Sequence, residues 1–338
     1  MPKLREVLMD AWRNKPSLVA WCLYPLTLLS RIYLWLYQTS YEMGWQSSTR
    51  LPVPVLVVGN LLVGGTGKTP VVIHLAQRLS QLGWQVGVIA RGHGGQQQGW
   101  AEVTENSLAS QTGDEALMVK KRLGLPVFIA KKRAQAALAL LRAYPQTQLI
   151  ISDDGLQHRA LHHDIAICVF DDRGLGNGFL LPAGPLRETW PRQLAMGVTQ
   201  IKVHTGRIAF EDSLAAHRQL AGFAVNGQGD KRDLRLWAGQ AVNAVAAIAQ
   251  PQAFFSALQN AGLTLSQTQA FPDHAPLDDW QPSHGLDVLC TEKDAVKLWP
   301  RHPQVWAVPL LCELPEVFWD TLMPHLQRLS LAHGHQTA

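Results

Sequence analysis

Cysteine is rare in this sequence and is never closely paired. It occurs at four widely separated positions, Cys22, Cys168, Cys290 and Cys312, and no Cys-x-x-Cys motif is present. The pattern indicates neither a disulfide framework nor a cysteine zinc site, and it favours a reducing cytoplasm. Cys168 and Cys290 lie in apolar, strand-like runs, where cysteine is typically a small buried hydrophobic residue.

Charged residues are also scarce, at 17% of 338 residues, and the net charge is only +4. There is no block of Lys and Arg, no RNA-binding aromatic motif and no zinc finger, so nucleic acid is not an expected partner. The small basic excess suits an anionic ligand or an anionic membrane surface. A hydrophobic content of 47% indicates a folded chain, which is long enough for two modest domains.

The N-terminal segment lacks an uncharged run long enough to span a bilayer. The run from Pro16 to Ser30 has fifteen residues and contains Pro25, whereas a spanning helix needs about 20. Residues 1–50 hold four of the twelve tryptophans, four of the five tyrosines and six Lys or Arg. Such a mixture is typical of a helix that lies in the membrane interface. We therefore predict a membrane-associating segment over residues 1–45; the alternatives are a helical hairpin on the protein's own core and a spanning anchor.

A glycine-rich loop is the strongest motif present. A strand-like run, VPVLVV, is followed by GNLLVGGTGKTP at 59–70 and by a helical pattern that ends at Gly83. Strand, glycine-rich loop and helix are the context of a P-loop, in which Lys68 reaches the β- and γ-phosphates and the Thr69 hydroxyl binds Mg²⁺. The predicted nucleotide-binding residues are Gly64, Gly65, Thr66, Gly67, Lys68 and Thr69.

Two loop positions depart from related patterns. Leu62 stands where the strict pattern has glycine, so Gly64 and Gly65 are expected to supply the flexibility instead. Val63 stands where partitioning-type ATPases carry a second lysine, which argues against that class.

Acidic residues at the ends of elements are candidates for metal binding. Asp153 and Asp154 follow an apolar strand-like run, as in a Walker B element that places a carboxylate near Mg²⁺. From spacing alone, Asp114 is a helix N-cap and Glu115 a first-turn acid. His274 is a lone loop histidine, a kind that is more often structural or exposed than catalytic.

Strand-like and helical runs alternate after residue 53, which predicts an α/β fold with a P-loop-type parallel sheet covered by helices on both faces. A second alternating set predicts a smaller α/β domain. The predicted divisions are a P-loop core at 46–162, a second domain closing the cleft at 163–318, and a C-terminal helix and tail at 319–338.

These stretches together resemble the tetraacyldisaccharide 4′-kinase (lipid A 4′-kinase) family. Seven matches occur in the family's order and are spread over most of the range from residue 53 to about 310. They are VGNLLVGGTGKTP at 58–70, GDE at 113–115, SDDGLQH at 152–158, LLPAGPLRE at 180–188, AIAQPQAFF at 247–255, FPDH at 271–274 and TEKDAVK at 291–297. Each is modest evidence by itself, but seven in register are specific.

The resemblance implies a kinase that uses ATP and Mg²⁺ to phosphorylate the 4′-hydroxyl of tetraacyldisaccharide 1-phosphate, giving lipid IVA in lipid A (lipopolysaccharide) biosynthesis. It implies two α/β/α domains joined by a hinge, with the active site in the cleft. It also implies a peripheral or monotopic protein on the cytoplasmic face of the bacterial inner membrane. The expected partners are the glycolipid substrate and the anionic membrane surface, without an obligate protein partner.

The resemblance also assigns roles to residues of this sequence. Asp114 is the expected general base and His274 its partner, which overrides the structural interpretations above. Lys68 is the expected catalytic lysine. The remaining implied site residues are Thr69, Asp153, Asp154 and Glu115 at the metal, with His158 and Arg187 as further active-site candidates.

Two positions of this sequence depart from the family pattern. Leu62 replaces a Thr or Ser, and His93 begins a run that replaces Tyr-Gly-Arg, so no role is assigned to His93.

Two other functions remain open: a kinase or ligase for a soluble metabolite, and a nucleotide-dependent membrane switch. The run at 291–294 lacks the spacer of the guanine-reading Asn/Thr-Lys-x-Asp motif, which favours ATP over GTP.

Overall fold

The computed structural model describes residues 4–13, 16–283 and 285–334. Parts of the predicted N-terminal segment (1–3, 14 and 15) and of the predicted tail (335–338) lie outside them. The helices are α1 (Leu4–Arg13), α2 (Leu18–Glu42), α3 (Lys68–Gln81), α4 (Ala109–Thr112), α5 (Asp114–Leu123), α6 (Arg133–Ala143), α7 (Pro251–Asn260), α8 (Glu292–Leu298) and α9 (Glu316–Ala332), with a 3-10 helix at Leu234–Trp237.

The strands form two large sheets and one small one. They are β1 (Val55–Gly59), β2 (Val86–Ala90), β3 (Trp100–Val103), β4 (Val127–Ala130), β5 (Leu149–Asp153), β6 (Ile165–Phe170), β7 (Thr199–His204), β8 (Leu214–Ala215), β9 (His217–Leu220), β10 (Phe223–Val225), β11 (Lys231–Asp233), β12 (Ala241–Ala246), β13 (Thr264–Ala270), β14 (Val288–Thr291), β15 (Trp306–Val308) and β16 (Leu310–Glu313).

The first sheet has the strand order β3-β4-β2-β5-β1-β6-β7-β8 within the described chain. Only β3, at one edge, runs antiparallel to its neighbour, and the other pairings are parallel. Every residue of β1, β5 and β6 is buried, as expected for strands that are covered on both faces. The predicted fold class, a P-loop-type parallel sheet with helices on both faces, is confirmed.

Successive residues of β1 point to two separate cores because side chains alternate along a strand. Leu56 and Val58 pack with apolar residues of α3, α5 and α9 on one face. Val55 and Val57 pack on the other face with α6 and with the loop that contains Leu180 and Leu186. The P-loop, which follows β1, is therefore held between two packed layers.

Strands β6, β7 and β8 extend the first sheet beyond residue 162. The sequence predicts a second domain over residues 163–318, and within that range β6 pairs with β1, β7 with β6 and β8 with β7. An apolar run does not reveal which sheet it joins, because the pairing is a long-range contact. Helix α9 also packs on this first body through Phe318 and Leu322. The division into domains itself stays a prediction.

The second sheet has the order β11-β10-β15-β14-β12-β13 among the described residues. Strand β12 pairs in parallel with β13 and with β14, and β14 pairs in parallel with β15. Helix α7 covers one face through Phe254 and Phe255, and α8 covers the other through Ala295 and Leu298. The chain passes between the first body and this sheet along β9 and again along β16. These two strands pair with each other in antiparallel orientation.

Helix α2 is longer than the fifteen-residue uncharged run suggested. It continues from Leu18 to Glu42 through Pro25 and Arg31, because one arginine does not end a helix. By length and composition it qualifies, alone among the described helices, as a candidate to cross a membrane, and only 11% of its apolar window is buried. Its exposed side chains include Trp21, Leu29, Tyr33, Trp35 and Leu36.

Polar contacts fasten α2 to the body of the protein. The Thr27 hydroxyl donates a hydrogen bond to the Leu180 carbonyl at 3.1 Å and accepts one from the Ala183 N–H at 3.2 Å. Trp21 and Tyr24 pack their rings on Phe179. The exposed helix is therefore attached directly to the loop that leads to Arg187.

Candidate active site

The P-loop joins the end of β1 to the start of α3, as predicted. Gly64 and Gly67 have positive φ angles of 94° and 78°, a conformation that favours glycine. Lys68 and Thr69 are the first residues of α3, so they lie at the positive end of its dipole. Leu62 is 1% exposed and belongs to the core, which explains why a leucine is tolerated there and why Gly64 makes the turn.

Asn60, which the sequence did not single out, organises the loop from inside. Its side chain is fully buried, and its Nδ2 donates to the carbonyls of Leu62 and Gly64 at 2.9 and 3.3 Å. Its Oδ1 accepts a hydrogen bond from Lys68 Nζ at 3.0 Å. One amide therefore fixes both the loop backbone and the position of the lysine.

Two further side chains hold the outside of the loop. Arg173 donates to the carbonyls of Val63 and Gly65 at 3.1 and 3.0 Å, while Asp171 holds its guanidinium with contacts as short as 2.7 Å. The Thr205 hydroxyl donates to the Thr66 carbonyl at 2.8 Å. The loop carbonyls are thus occupied by donors from the segments that follow β6 and β7.

Asp153 lies at the end of β5 beside the first turn of α3. The Thr69 hydroxyl donates a hydrogen bond to Asp153 Oδ2 at 3.3 Å. Burial raises the pKa of Asp153 to about 7, and the nearby Glu115 carboxylate adds to the effect. Within the residues that the structure describes, no group of three or more His, Cys, Asp and Glu side chains forms a metal cluster by itself.

Asp154 has a different environment from its neighbour. Arg187 Nη1 lies 3.2 Å from its Oδ2 and Lys68 Nζ lies 3.8 Å from its Oδ1. Burial acts to raise the pKa of Asp154, but Lys68 and Arg187 outweigh it and hold the pKa below its ordinary value. The buried Arg133, another residue absent from the sequence predictions, donates to the Asp154 carbonyl at 2.7 Å.

Asp114 and His274 meet across 160 residues of sequence. His274 Nδ1 lies 3.1 and 3.0 Å from the two carboxylate oxygens of Asp114. Asp114 is the first residue of α5 and its N-cap is Gly113, so the N-cap interpretation of Asp114 was wrong. The first-turn position predicted for Glu115 is confirmed. His274 has a positive φ of 62°, which directs the loop after β13 toward α5.

The two side chains shift each other's titration. Burial acts to raise the pKa of Asp114, but the hydrogen bond from His274 and the nearby Lys293 hold it below the ordinary value. The hydrogen bond to Asp114 raises the pKa of His274, while burial and Lys293 act in the opposite direction. The carboxylate therefore stays ionised, as an acceptor of a proton must.

Helix α8 places two lysines beside this pair. Lys293 Nζ lies 3.0 Å from Asp273 Oδ1, 3.2 Å from Glu115 Oε1 and 3.1 Å from His274 Nε2. Burial opposes the charge on Lys293, but Glu115, Asp114 and Asp273 outweigh it and raise its pKa. Lys297 Nζ lies 3.9 Å from Asp114 Oδ2.

The remaining candidates are arranged less directly. His158 Nε2 accepts the N–H of Arg133 at 3.2 Å and so supports the start of α6; burial lowers its pKa. His93 stacks edge-on against His274 with ring centres 5.1 Å apart. Of the residues missed from the sequence, Lys293 lay in a noted stretch, whereas Asn60, Arg133 and Arg173 gave no signal beyond a polar residue after a strand.

Comparison with known proteins gives a concordant result. The family model described as tetraacyldisaccharide-1-P 4′-kinase matches residues 19–327. This chain belongs to that family. Tetraacyldisaccharide 4′-kinase of Acidovorax sp. (strain JS42) is 45% identical over 98% of this chain and 97% of its own length. The protein of the same name from Polaromonas naphthalenivorans is 44% identical over 99% and 100%.

A solved family structure has the same fold. The crystal structure of LpxK from Aquifex aeolicus, described as an "apo" form in complex with ATP, aligns with a TM-score of 0.80. It is 27% identical and covers 92% of this chain and 99% of that one. The family resemblance and the predicted α/β fold are therefore confirmed.

Proposed function

We propose that this chain transfers the γ-phosphate of ATP to the 4′-hydroxyl of tetraacyldisaccharide 1-phosphate, giving lipid IVA in lipid A biosynthesis. Family membership supports the reaction. The observation that carries the residue assignment is the Asp114–His274 contact, which joins the P-loop body to the second sheet at the C-terminal side of the strands. A base at this place can meet an acceptor hydroxyl opposite the P-loop.

Each end of the cleft has its own task in this reaction. Lys68 and the N–H groups of residues 64–69 bind the β- and γ-phosphates and stabilise the charge that develops on them. Asp114 accepts the proton of the 4′-hydroxyl while the new O–P bond forms and the bond to ADP breaks. His274 holds the carboxylate in position. Arg187, which is paired with Asp154, supplies a further positive charge to the phosphates.

The donor groups near Thr69 fit a magnesium ion. Mg²⁺ in nucleotide sites takes one or two carboxylates, a P-loop hydroxyl and phosphate oxygens, and it keeps several waters. Thr69 and the buried Asp153 supply such a hydroxyl and carboxylate, and the carboxylates of Glu115 and Asp154 are near enough to raise the pKa of Asp153. When bound, Mg²⁺ would neutralise charge on the phosphates. It would also favour the ionised form of Asp153.

We further propose that residues 46–220 with α9 form the nucleotide-binding body and that residues 221–309 form the second domain. This division replaces a boundary at 162, because the first sheet extends through β8. The paired strands β9 and β16 are then the hinge. Closure about this hinge would exclude water and limit wasteful hydrolysis of ATP.

The exposed side of α2 is proposed to lie in the cytoplasmic face of the inner membrane. Leu29, Tyr33 and Leu36 follow one another at helical spacing and are 63%, 65% and 52% exposed. An acylated substrate keeps its chains in the bilayer, so the active site must come to that surface. Thr27 anchors the opposite side of the helix to the loop at Leu180.

Transfer of label from [γ-³²P]ATP to tetraacyldisaccharide 1-phosphate in mixed micelles tests the reaction. We expect labelled lipid from the wild type and a loss of roughly 100-fold or more from Asp114→Asn, the scale of general base catalysis. Asp278→Asn, on an exposed acid paired with Arg301, is the control. Wild-type protein that binds ATP yet labels no lipid would contradict the proposal and favour a soluble acceptor or a nucleotide-dependent switch.

Co-sedimentation with anionic phospholipid vesicles tests the membrane surface. The triple variant Leu29→Ser, Tyr33→Ser and Leu36→Ser should bind on the order of 100-fold more weakly, since each lost apolar side chain is worth about 1 kcal/mol. Leu331→Ser, at an exposed leucine of α9, is a matched control that should bind normally. Equal sedimentation of the triple variant and the wild type would remove α2 as the membrane-binding element.

A further inference from the structure

The amino-terminal turn of α8 places one ammonium group against the far side of the His274 ring. Lys293 is the second residue of this helix, whose N-cap is Thr291. Its side chain is 13% exposed, and its Nζ contacts Asp273, Glu115 and His274 Nε2 within 3.2 Å. The proposed reaction assigns no task to this residue.

The donors and acceptors at these contacts indicate which ring nitrogen of His274 carries the proton. A lysine ammonium carries three N–H donors and no acceptor. If each N–H of Lys293 Nζ is used at one of its three neighbours, His274 Nε2 accepts with its lone pair. A neutral imidazole that accepts at Nε2 carries its proton at Nδ1 and donates it to Asp114, 3.0 Å away.

We propose that Lys293 is a positioning residue that fixes the Nδ1–H tautomer of His274 and thereby orients the Asp114 carboxylate toward the acceptor hydroxyl. The inference rests on the proposed role of Asp114 as the base. With its Nδ1–H committed to the carboxylate, His274 leaves the remaining carboxylate lone pairs free for the substrate. A ring with the opposite tautomer would present a lone pair to Asp114 and repel it.

Residues other than Lys293 make the hydrogen bonds and ion pairs that hold α8 in place. Asp294 is fully buried, bonds the Thr291 hydroxyl at 2.7 Å and accepts the Ala247 N–H at 3.0 Å. Lys297 pairs with Asp294 at 2.9 Å and donates to the Ala275 carbonyl at 2.9 Å. Lys293 takes part in none of these bonds and is directed at the Asp114–His274 pair instead.

A double-mutant cycle on kcat for lipid phosphorylation tests the dependence on His274. We expect Lys293→Met to lower kcat roughly 10- to 100-fold, the usual scale for residues that orient a functional group, with the KM for ATP within about twofold of wild type. In a His274→Ala background the same change should cost less than about twofold. Lys121→Met, at an exposed lysine of α5, is the control for loss of charge.

The cycle also distinguishes the possible failures. An equal loss with and without His274 would overturn the proposal and make Lys293 a clamp between the two bodies. No loss in the single variant would overturn it as well. Full activity of Asp114→Asn would instead contradict the proposed base, and it would leave the histidine tautomer to be decided by the measurement below.

Ring ¹⁵N chemical shifts of the wild-type protein, labelled at histidine, test the tautomer without relying on a variant that folds. The His274 signals are assigned by their absence from His274→Ala. We expect a protonated Nδ1 and an unprotonated Nε2 at pH 8, and a mixture of tautomers in Lys293→Met. An imidazolium ring, or a proton on Nε2, in the wild type would overturn the proposal.

Discussion

The nucleotide end and the acceptor end of the proposed active site are built in opposite ways. The nucleotide end is almost continuous in sequence, since residues 59–69 supply the loop, the lysine and the hydroxyl. The acceptor end brings together Asp114 from α5, His274 from a loop after β13 and Lys293 from α8. A local motif therefore predicts where the phosphates bind, whereas the proposed base and its partners come from segments that are distant in the sequence.

This contrast has a mechanistic consequence. The nucleotide end is held by Asn60, Arg173 and Thr205, which all belong to segments next to strands of the first sheet. The acceptor end depends on the contact between α5 and α8. Substitutions at the first end should change ATP binding and transfer together, whereas those at the second should change transfer and leave ATP binding unaltered.

Lys68→Met should give the largest effect at either end. It removes the positive charge that the β- and γ-phosphates meet, so kcat/KM for ATP should fall by roughly 1,000-fold or more. The measurement is label transfer over a range of ATP concentrations. Lys231→Met, on the outer strand of the second sheet, should leave the value unchanged. A residual activity above one tenth of wild type would show that the phosphates are bound elsewhere.

The substitution His274→Gln tests whether the acceptor end acts independently of the nucleotide end. It removes the ring that orients Asp114, so kcat should fall roughly 100-fold while the dissociation constant of ATP stays within about twofold. Calorimetric titration with ATP and label transfer separate the two quantities. Weaker ATP binding in this variant, comparable to the loss in kcat, would mean that the two ends are not independent.

The sequence predicted the conformation of the P-loop segment well because its signals are local. A buried strand, three glycines and a lysine at a helix start specify one conformation, and β1, the loop and α3 have that conformation. The alternation of strands and helices likewise predicted the sheet. The order of the strands could not be predicted from the sequence, because the pairing of β6 with β1 depends on contacts between distant segments.

The pairing of Asp114 with His274 was predicted only through the family resemblance. From spacing alone, Asp114 was interpreted as a cap and His274 as a loop histidine, since nothing local distinguishes such residues from structural ones. Lys293 was overlooked for the same reason. The proposed chemistry depends on a contact across 160 residues, and a pattern of neighbours in sequence does not contain it.

Arg187→Gln should have an intermediate effect at the nucleotide end. Its guanidinium, paired with Asp154 at 3.2 Å, is available to the phosphates, so its loss should raise the KM for ATP by about tenfold. Arg232→Gln breaks a comparable ion pair with Asp287 in the second sheet and is the matched control. An unchanged KM together with a lowered kcat would place Arg187 on the transferring phosphate instead of on bound ATP.

Asn60→Ala should give the smallest effect, and it tests whether the P-loop is held from within. The change removes two donations to loop carbonyls and one acceptance from Lys68, so the free energy of unfolding should fall by about 1–3 kcal/mol. Because the loop and the lysine both lose their support, the KM for ATP should also rise by less than about tenfold.

Asn226→Ala provides the matched comparison for that variant. Asn226 is 6% exposed and organises a turn of the second sheet by accepting the N–H groups of Gln228 and Asp230 and donating to the Asp230 carboxylate. Its removal should lower the free energy of unfolding by a similar amount, measured by urea denaturation, and leave the KM for ATP unaltered. If both variants raised the KM equally, the effect of Asn60 would be one of general stability, and the P-loop would not need its buried amide to bind nucleotide.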